Sequence, residues 1–321
     1  MSNFQQIENI KSRVKIISNN GVKHVALVIG GMSCEREVSI SSGRGVCEAL
    51  VALGYKVTEV DMGRDFAKVI DEINPDIVFN CLHGTYGEDG CVPGILNILK
   101  IPYTHSGLMA SSIAFNKIIS KDIMRANNIN YIPDVVISKG DELKVDPFPR
   151  PYVIKPVSEG SSIGVEIIFP EDDFNFANYE FKFGDQIIVE KYIKGRELQV
   201  PVLDGKALEI LELKFINKRF YDYEAKYTEG FTEHILPSSL PSHIRRQTLD
   251  ISEKLYKAFR CRGIVRCEMI YSEDEDTLYV LEINTHPGMT PLSICPEIAL
   301  YCGIGFNDLV KILVESAKYD E

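Results

Sequence analysis

Four polar side chains lie close together on two short apolar segments near the C-terminal end of the chain. Residues 263–284 contain two β-rich runs around an acidic tip, a pattern typical of an antiparallel hairpin. Side chains alternate between faces along a strand, so Arg266 and Glu268 share one face, as do Glu282 and Asn284. If the two faces coincide, a cation, two carboxylates and an amide oxygen converge on one point.

Two kinds of chemistry fit this cluster. Carboxylates on the inward face of an apolar hairpin are costly to bury, and ion pairing with Arg266 would offset that cost. Rigid oxygen ligands also suit Mg²⁺ holding substrate phosphates, and the spacing alone leaves both interpretations open. The turn that follows contains Gly288, which allows close approach to a ligand. A backbone N–H there, beside Arg266, would form an oxyanion site.

Length and composition limit the classes of protein that this chain can represent. Its 321 residues allow two or three domains, and 45% hydrophobic with 25% charged residues is ordinary for a globular protein. A net charge of −11 argues against nucleic acid or an anionic membrane as the main partner. No segment is long enough to cross a membrane, and the first residues lack a signal-peptide core. We expect a cytoplasmic protein.

The eight cysteines are scattered, and no two have the C-x-x-C spacing of a metal or redox site. Most occur within apolar runs. We therefore expect reduced, buried thiols instead of disulfides or a zinc site.

The N-terminal part of the chain predicts an α/β lobe. Residues 24–80 contain three apolar strands separated by two helices, which indicates a parallel sheet with helices on its faces. Ligands bind beyond the carboxyl ends of such strands, where the glycine-containing loops 30–35 and 83–90 carry Glu35 and His83. Glu35 is also explained as an acid near a helix start, and His83 as a packing residue of its loop. For each of these two residues, the structural explanation and ligand binding both stay open.

Two further segments of this half have simpler predictions. Residues 1–22 are polar and predict a short helix or a loose tail. From residue 102 we expect a strand, a turn and one helix that continues through Lys117 to about residue 127. A lysine on such a helix is usually a solvated surface residue. Lys117 is therefore a candidate site residue only if other site residues lie beside it.

A glycine- and serine-rich loop follows a proline-containing linker at residues 139–151, which marks a domain boundary. The strand before the loop carries Lys155, and residues 157–165 lead into a second strand. This strand–loop–strand order differs from the Walker A loop and fits a lid over nucleotide phosphates. A plain β-turn is the alternative.

The remaining elements alternate strands with one long helix. Strands are predicted at residues 186–193, 198–203 and 207–215, and an amphipathic helix at 242–259 leads into the hairpin. The polar aromatic loop at residues 220–228 indicates a surface loop that covers a site. Two short helices are expected to close the chain.

Five motifs, in order, resemble those of the D-alanine–D-alanine ligase family from about residue 23 to the C-terminus. They are Gly30-Gly31-x-Ser33-x-Glu35-Arg36-Glu37-Val38-Ser39, His83-Gly84 with Gly87-Glu88-Asp89-Gly90, Glu159-Gly160-Ser161-Ser162, Tyr221-Asp222-Tyr223-Glu224-x-Lys226-Tyr227, and Glu282-x-Asn284-Thr285-x-Pro287-Gly288-Met289-Thr290. The resemblance implies an N-terminal parallel α/β lobe followed by the ATP-grasp fold, in which two α+β lobes clamp ATP.

The resemblance also implies domain limits, activity and partners. The N-terminal α/β lobe would span residues 23–118, the central lobe with the phosphate loop 119–205, and the C-terminal lobe with the metal-binding hairpin 206–321, after a leader, 1–22, of unknown role. The expected enzyme is an ATP-dependent ligase that joins two D-alanines through an acyl phosphate, for peptidoglycan synthesis. It would use ATP with two Mg²⁺ ions, for which Mn²⁺ would substitute, and form a homodimer.

Roles are carried over by the resemblance one position at a time. The metal ligands would be Glu268, Glu282 and Asn284. The catalytic group would be Glu35, Ser161, Tyr227, Arg266 and the Gly288 N–H. The amino acids would also contact His83, Ser293 and Ile294. The nucleotide would contact Lys117, Lys155, Glu159, Ser162, Glu190, Lys191, Ile193, Glu197 and Lys226.

Some positions depart from the family pattern, and two other functions stay open. Many family members have Asp where this chain has Glu268, and His286 occupies a variable position of the turn. Another ATP-grasp carboxylate–amine ligase would keep the hairpin but need not keep Glu35, His83 and Tyr227 together. A nucleotide-binding protein without catalysis would be expected to lose Arg266 or a metal acid. Relatives that use D-lactate usually lack the loop with Tyr227, which favours an amine acceptor here.

Overall fold

A computed structural model describes residues 14–18, 23–141, 143, 145–215, 232–290 and 293–320. Within these residues the strands form three sheets, of four, six and four strands. Lys226 and Tyr227 of the aromatic loop lie outside the described residues.

The first sheet has the order β1-β3-β2-β4, and β2, β3 and β4 are parallel. Its strands are β1 (Val14–Ser18), β2 (His24–Ile29), β3 (Lys56–Asp61) and β4 (Ile77–Asn80), with helices α1 (Arg36–Ala52), α2 (Phe66–Ile73) and α3 (Cys91–Leu99). β2 is apolar and buried because both faces of the sheet are covered. The predicted parallel series is confirmed, and the loops after β2 and β4 lie at its carboxyl edge.

The first described segment differs from the prediction. Residues 1–22 were expected to form a short helix or a loose tail, but β1 pairs antiparallel with β3 at the edge of the sheet. Its sequence, VKIIS, is short and rich in β-branched residues, which suits an edge strand.

The predicted long helix through Lys117 is two helices, α4 (Leu108–Phe115) and α5 (Lys117–Ala126). The residue between them, Asn116, is extended, and its side chain accepts hydrogen bonds from two backbone N–H groups of α5. Lys117 is therefore the first residue of α5. The strand expected from residue 102 is reduced to single bridges of Tyr103 with Val78 and Lys318.

The central sheet is antiparallel and has the order β5-β8-β6-β7. Its strands are β5 (Asp134–Ser138), β6 (Tyr152–Pro156), β7 (Glu166–Ile168) and β8 (Gln186–Lys191). The glycine- and serine-rich loop connects β6 to β7, as predicted. Lys155 on β6 and Glu190 on β8 therefore lie on neighbouring strands.

The third sheet contains the hairpin predicted at residues 263–284. Its path is β12-β11-β9-β13-β14, with β10 paired to β9. The strands are β9 (Arg196–Leu203), β10 (Lys206–Ala207), β11 (Leu211–Phe215), β12 (Thr232–Ile235), β13 (Ile264–Ser272) and β14 (Thr277–Asn284). Helices α6 (Ser242–Ala258), α7 (Ile294–Tyr301) and α8 (Phe306–Glu315) complete the described chain. The predicted strand at 207–215 is split into β10 and β11.

All eight cysteines are free thiols, as expected. Cys34, Cys91 and Cys302 are exposed, however, so the prediction that the thiols are buried was wrong for these three. Each lies next to a loop or a helix end and not in a sheet. No helix in the described part of the chain is long and apolar enough to span a membrane.

Candidate active site

The register of the β13–β14 hairpin brings the four predicted side chains to one face. Arg266 is opposite Asn284 and Glu268 is opposite Glu282, and directly opposed residues of antiparallel strands project to the same side. Arg266 Nη2 donates a hydrogen bond to Glu268 Oε1, and both side chains are largely buried. The ion-pair interpretation therefore applies to Arg266 and Glu268, while Glu282 and Asn284 add further side-chain oxygen atoms to the same face.

Gln199 is a residue of this cluster that sequence reasoning missed. β9 pairs with β13 so that Gln199 is opposite Glu268. The fully buried amide donates from Nε2 to Glu268 Oε2 and to Glu197 Oε1, each at 3.3 Å. The available signal was its place two residues after Glu197, which puts both side chains on one face of β9. Gln199 thus connects a predicted ribose contact with a predicted metal ligand.

A cavity of about 890 Å³, partly open to solvent, lies between the central and third sheets. Its walls include eight residues predicted to contact the nucleotide. They are Lys117, Lys155, Glu159, Ser162, Glu190, Lys191, Ile193 and Glu197, together with Ser161, Glu268 and Glu282. The apolar walls come mainly from Ile132, Val153, Ile163, Val165, Ile270 and Leu281. A lining that combines apolar side chains with several charged groups suits a nucleotide.

A buried charge cluster forms one wall of the cavity. Glu190 Oε2 is 2.6 Å from Lys155 Nζ, and Glu190 Oε1 is 2.7 Å from Lys121 Nζ. Burial raises the pKa of Glu190, but the two ammonium groups outweigh burial and lower the pKa to about 2. Lys121, on α5, is itself buried and also lies 3.3 Å from Asp134 Oδ1. The cluster fixes the position of Lys155 beside the phosphate loop.

Lys117 connects α5 to the loop between β6 and β7. Its Nζ donates a 2.7 Å hydrogen bond to the backbone oxygen of Glu159, and its N–H donates to the backbone oxygen of Val157. Burial lowers the pKa of Lys117, and the carboxylate of Glu282 opposes that effect. Burial also raises the pKa of Glu159. Lys117 therefore faces both the loop and the acidic hairpin, where phosphate oxygens would lie.

The β6–β7 loop also reaches the first lobe. Ser161 and Ser162 have φ angles of 49° and 59°, in the left-handed region that non-glycine residues rarely adopt. Ser161 Oγ donates a hydrogen bond to Glu35 Oε1, and Glu35 is buried. Strained backbone at two consecutive residues is often a feature of ligand loops. The contact joins the predicted phosphate loop to the predicted amino-acid site.

His83 makes hydrogen-bond contacts through both ring nitrogens. Its Nε2 lies 3.3 Å from Ser42 Oγ, which also accepts a 3.4 Å hydrogen bond from the N–H of Met289. Its Nδ1 lies 3.2 Å from Glu88 Oε1. These contacts hold the His83 ring between the loop after β4 and the turn after β14.

The turn after β14 brings Asn284, Gly288 and Ser293 together. Asn284 Oδ1 accepts a 2.7 Å hydrogen bond from the N–H of His286, which orients the amide and leaves one lone pair of the oxygen. Gly288 does not have a left-handed φ, but a Cβ there would lie 3.0 Å from Ser293 Oγ. A side chain at residue 288 would therefore crowd Ser293, which precedes Ile294 at the start of α7. The expected approach of Gly288 to a ligand stays a prediction.

The donor set of the hairpin fits Mg²⁺ bound together with phosphates. Glu268, Glu282 and Asn284 offer only oxygen ligands, and Arg266 is close enough to balance part of their charge. In the described parts of the chain no three His, Cys, Asp or Glu side chains form a complete metal-binding group. Mg²⁺ commonly takes one or two carboxylates and completes its shell with water and substrate phosphates, so the incomplete protein shell is the expected one.

Comparison with known proteins gives a consistent result. A family model described as "D-ala D-ala ligase C-terminus" matches residues 139–315, more than half of the chain. A protein of Rickettsia bellii (strain OSU 85-389) named D-alanine–D-alanine ligase is 60% identical over 309 residues, which cover 96% of each chain. A protein of Rickettsia typhi with the same name is 58% identical over 309 residues, again 96% of each chain.

Solved structures agree with the sequence matches. The crystal structure of D-alanine–D-alanine ligase from Bacillus anthracis has a TM-score of 0.81 at 32% identity, covering 92% of this chain and 97% of that one. A second structure of that enzyme, complexed with ATP, has a TM-score of 0.79 at 29% identity and the same coverage. The chain has the ATP-grasp fold, as the sequence analysis predicted.

Proposed function

Because this chain belongs to the D-alanine–D-alanine ligase family, we propose that it joins two D-alanines into D-alanyl-D-alanine, with conversion of ATP to ADP and phosphate, for peptidoglycan synthesis. The observation that carries this proposal is the arrangement around the cavity. Glu268 and Glu282 line it from the hairpin, where Arg266 is paired with Glu268, and Lys117 and Lys155 line it from α5 and β6. The first-lobe acid Glu35 reaches the same place through Ser161.

In the first step the carboxylate of one D-alanine attacks the γ-phosphorus of ATP. A bond forms from the carboxylate oxygen to phosphorus, the bond to the β,γ-bridging oxygen breaks, and ADP leaves. Both reactants are anions, so the protein must neutralise charge and align them. Lys117 and Lys155 supply cations at the phosphates, and Glu190 is proposed to contact the adenine or ribose end of the cavity with Lys191, Ile193 and Glu197.

The metal ligands proposed are Glu268, Glu282 and Asn284. When bound there, two Mg²⁺ ions neutralise phosphate charge and hold the phosphate chain in line, and Mn²⁺ is expected to substitute. Gln199 and Arg266 each hold one oxygen of Glu268, so the longer acid keeps a fixed direction although many relatives have Asp there.

In the second step the amine of the other D-alanine attacks the acyl carbon. A C–N bond forms, the bond to the phosphate oxygen breaks, phosphate leaves, and the nitrogen loses a proton. Charge develops on the carbonyl oxygen of the tetrahedral intermediate, which Arg266 and the Gly288 N–H stabilise. The first ammonium is proposed to bind Glu35, and the second carboxylate Ser293 and the backbone of Ile294.

Other parts of the proposal rest on the family and on the sequence. His83 would lie near the first D-alanine carboxylate, and Ser162 and Glu159 near the phosphates. Tyr227 would close the aromatic loop over the site through hydrogen bonding with Ser161 and Glu35, and Lys226 would contact the nucleotide. The three-lobe division predicted above, a homodimeric assembly and a cytoplasmic location belong to the same proposal.

The decisive experiment measures phosphate release from ATP and Mg²⁺ with D-alanine, and identifies the product by mass. L-alanine and D-lactate serve as matched controls for stereochemistry and for the acceptor atom. D-alanine-dependent release with a D-alanyl dipeptide as product supports the proposal. Nucleotide binding without D-alanine-dependent release refutes it, and a different amide product would indicate another carboxylate–amine ligase.

A further inference from the structure

His105 has a backbone conformation that favours glycine. Its φ is 71°, in the left-handed region, yet its side chain is buried beside the amino-acid site. Nδ1 lies 2.9 Å from Thr104 Oγ1, and Nε2 has no hydrogen-bond partner among the described residues. Hydrogen bonding of the ring therefore gives little compensation for the strained backbone, and another contact must favour histidine here.

That contact is a stack with His286. The two ring centroids are 4.0 Å apart and the planes are inclined by 17°. The edge of Phe79 packs against His105 with a centroid distance of 5.7 Å. His105 belongs to the segment after α3 in the first lobe, and His286 belongs to the turn after β14, so the stack crosses the junction between the two lobes.

His286 has fixed contacts on every side. Its Nε2 donates a 2.6 Å hydrogen bond to the backbone oxygen of Asn80 at the end of β4, and the His83 ring packs edge-on at 5.9 Å. Its backbone N–H donates to Asn284 Oδ1 at 2.7 Å. One residue thus contacts the first lobe, the proposed substrate histidine and a proposed metal ligand.

We propose that His105 and His286 form a stacked pair that positions the turn 284–289, and with it the Gly288 N–H, against the amino-acid site. They are positioning residues and do not touch the reacting atoms. The expected change in kcat rests on the proposed function. Whether the pair positions the turn does not depend on that function and can be measured on the protein alone.

The backbone of His105 is also held by Arg262. Its backbone oxygen accepts a 2.9 Å hydrogen bond from Arg262 Nε. Arg262 lies over the Tyr103 ring at 4.4 Å, and its Nη1 is 3.2 Å from Asp320 Oδ1 near the C-terminus. The backbone of His105 therefore has little freedom, and stacking on its ring restricts the position of His286.

The test variant is His105→Gly, which removes the ring and relieves the left-handed backbone. Asn74→Gly is the matched control, because Asn74 is also a non-glycine residue with a left-handed φ, 46°, but lies at the exposed end of α2. We expect His105→Gly to lower kcat by up to about 100-fold through misalignment of the turn. The KM for ATP should change little, since neither histidine lines the nucleotide cavity.

A second readout is independent of activity. Hydrogen exchange of residues 284–289, followed by mass spectrometry, should be faster in His105→Gly than in the wild type and unchanged in Asn74→Gly. His286→Phe keeps a ring for the stack but loses the bond to Asn80, so its kcat should fall less than that of a His286→Ala variant. The double variant His105→Gly/His286→Ala should have a kcat no lower than that of the slower single variant, because both substitutions disrupt the same stacked pair.

Five outcomes distinguish the alternatives. Faster exchange in the turn with a lower kcat and a preserved KM for ATP supports the proposal. Unchanged exchange overturns it, and so does faster exchange with an unchanged kcat. A lower thermal stability together with a raised KM for ATP shows a general structural role and also overturns it. If the wild type makes no dipeptide, the proposed function fails, while the exchange result still decides whether the pair positions the turn.

Discussion

Replacing Lys121 with Met should destabilise the protein by breaking the buried charge cluster. Lys121 Nζ lies 2.7 Å from Glu190 Oε1 and 3.3 Å from Asp134 Oδ1, and it donates to the backbone oxygen of Ile132. Met keeps the length and apolar character of the side chain but removes the charge. Glu190 would then have only Lys155 as a neighbouring cation, and Asp134 would lose its partner.

The pKa of Glu190 gives the size of the effect. Burial raises this pKa, but Lys155 and Lys121 outweigh burial and lower it from 4.5 to about 2. That difference corresponds to roughly 3 kcal/mol of stabilisation. Because the folded-state pKa is depressed, the stabilisation is complete above pH 4.5 and is lost as the pH falls towards 2. That figure reflects Lys155 as well as Lys121. The loss expected for Lys121→Met alone is taken from the typical cost of removing one partner of a buried pair, about 3 to 5 kcal/mol.

The assay is thermal unfolding at pH 7 without nucleotide. A loss of roughly 3 kcal/mol should lower the Tm by about 4 to 5 °C in a chain of 321 residues, because the entropy of unfolding is about 2.1 cal/mol/K per residue. The matched control is Lys68→Met, because Lys68 pairs with Glu72 at 3.7 Å with both side chains exposed. It should change stability by less than about 0.5 kcal/mol.

A Lys121→Met variant that unfolds at the same temperature as the Lys68→Met control would refute the reasoning. A second check uses pH. The Tm difference between wild type and Lys121→Met should be largest at neutral pH and should narrow below pH 4.5, where Glu190 of the variant becomes protonated. A difference that grows towards acid pH would contradict the stated role of Glu190.

Three further predictions concern catalysis. Arg266→Ala should abolish dipeptide formation and leave ATP binding intact, since Arg266 is proposed to stabilise the intermediate's oxyanion; intact synthesis, identified by mass, would contradict this. Gln199→Leu should weaken Mn²⁺ binding by about 10-fold or more, measured by electron paramagnetic resonance, because Glu268 loses an orienting donor; equal affinity would show that Gln199 does not orient it. Tyr227→Phe should relax discrimination between D-alanine and D-lactate, and an unchanged preference would refute that role.

Much of the hairpin could be predicted because its information is local. The two-residue period of β13 and β14 fixed which side chains share a face, and the acidic tip indicated where the chain reverses. The register that places Glu268 opposite Glu282 followed the same pattern. The roles of these residues came from the family resemblance, and they stay predictions.

The missed features depend on contacts between distant segments. Asn116 ends α4 because its side chain caps α5, and an uninterrupted helical pattern hides this alternative. Gln199 joined the acidic cluster only because β9 pairs with β13, about 70 residues later in the chain, and strand pairing of this kind is not encoded in a local period. His105 and His286 likewise meet only through tertiary packing.

The site is assembled from segments that are distant in the chain, and this has a consequence for turnover. Ser161 donates a hydrogen bond to Glu35, Lys117 to the backbone oxygen of Glu159, and His286 to the backbone oxygen of Asn80, so each contact joins two such segments. Contacts that align the reactants also close the cavity around the products. Release of the dipeptide and ADP therefore requires some of these contacts to break. We expect the hydrogen bond between Ser161 and Glu35 to be the one that breaks, because Ser161 and Ser162 have left-handed φ angles whose strain would be relieved when the loop moves.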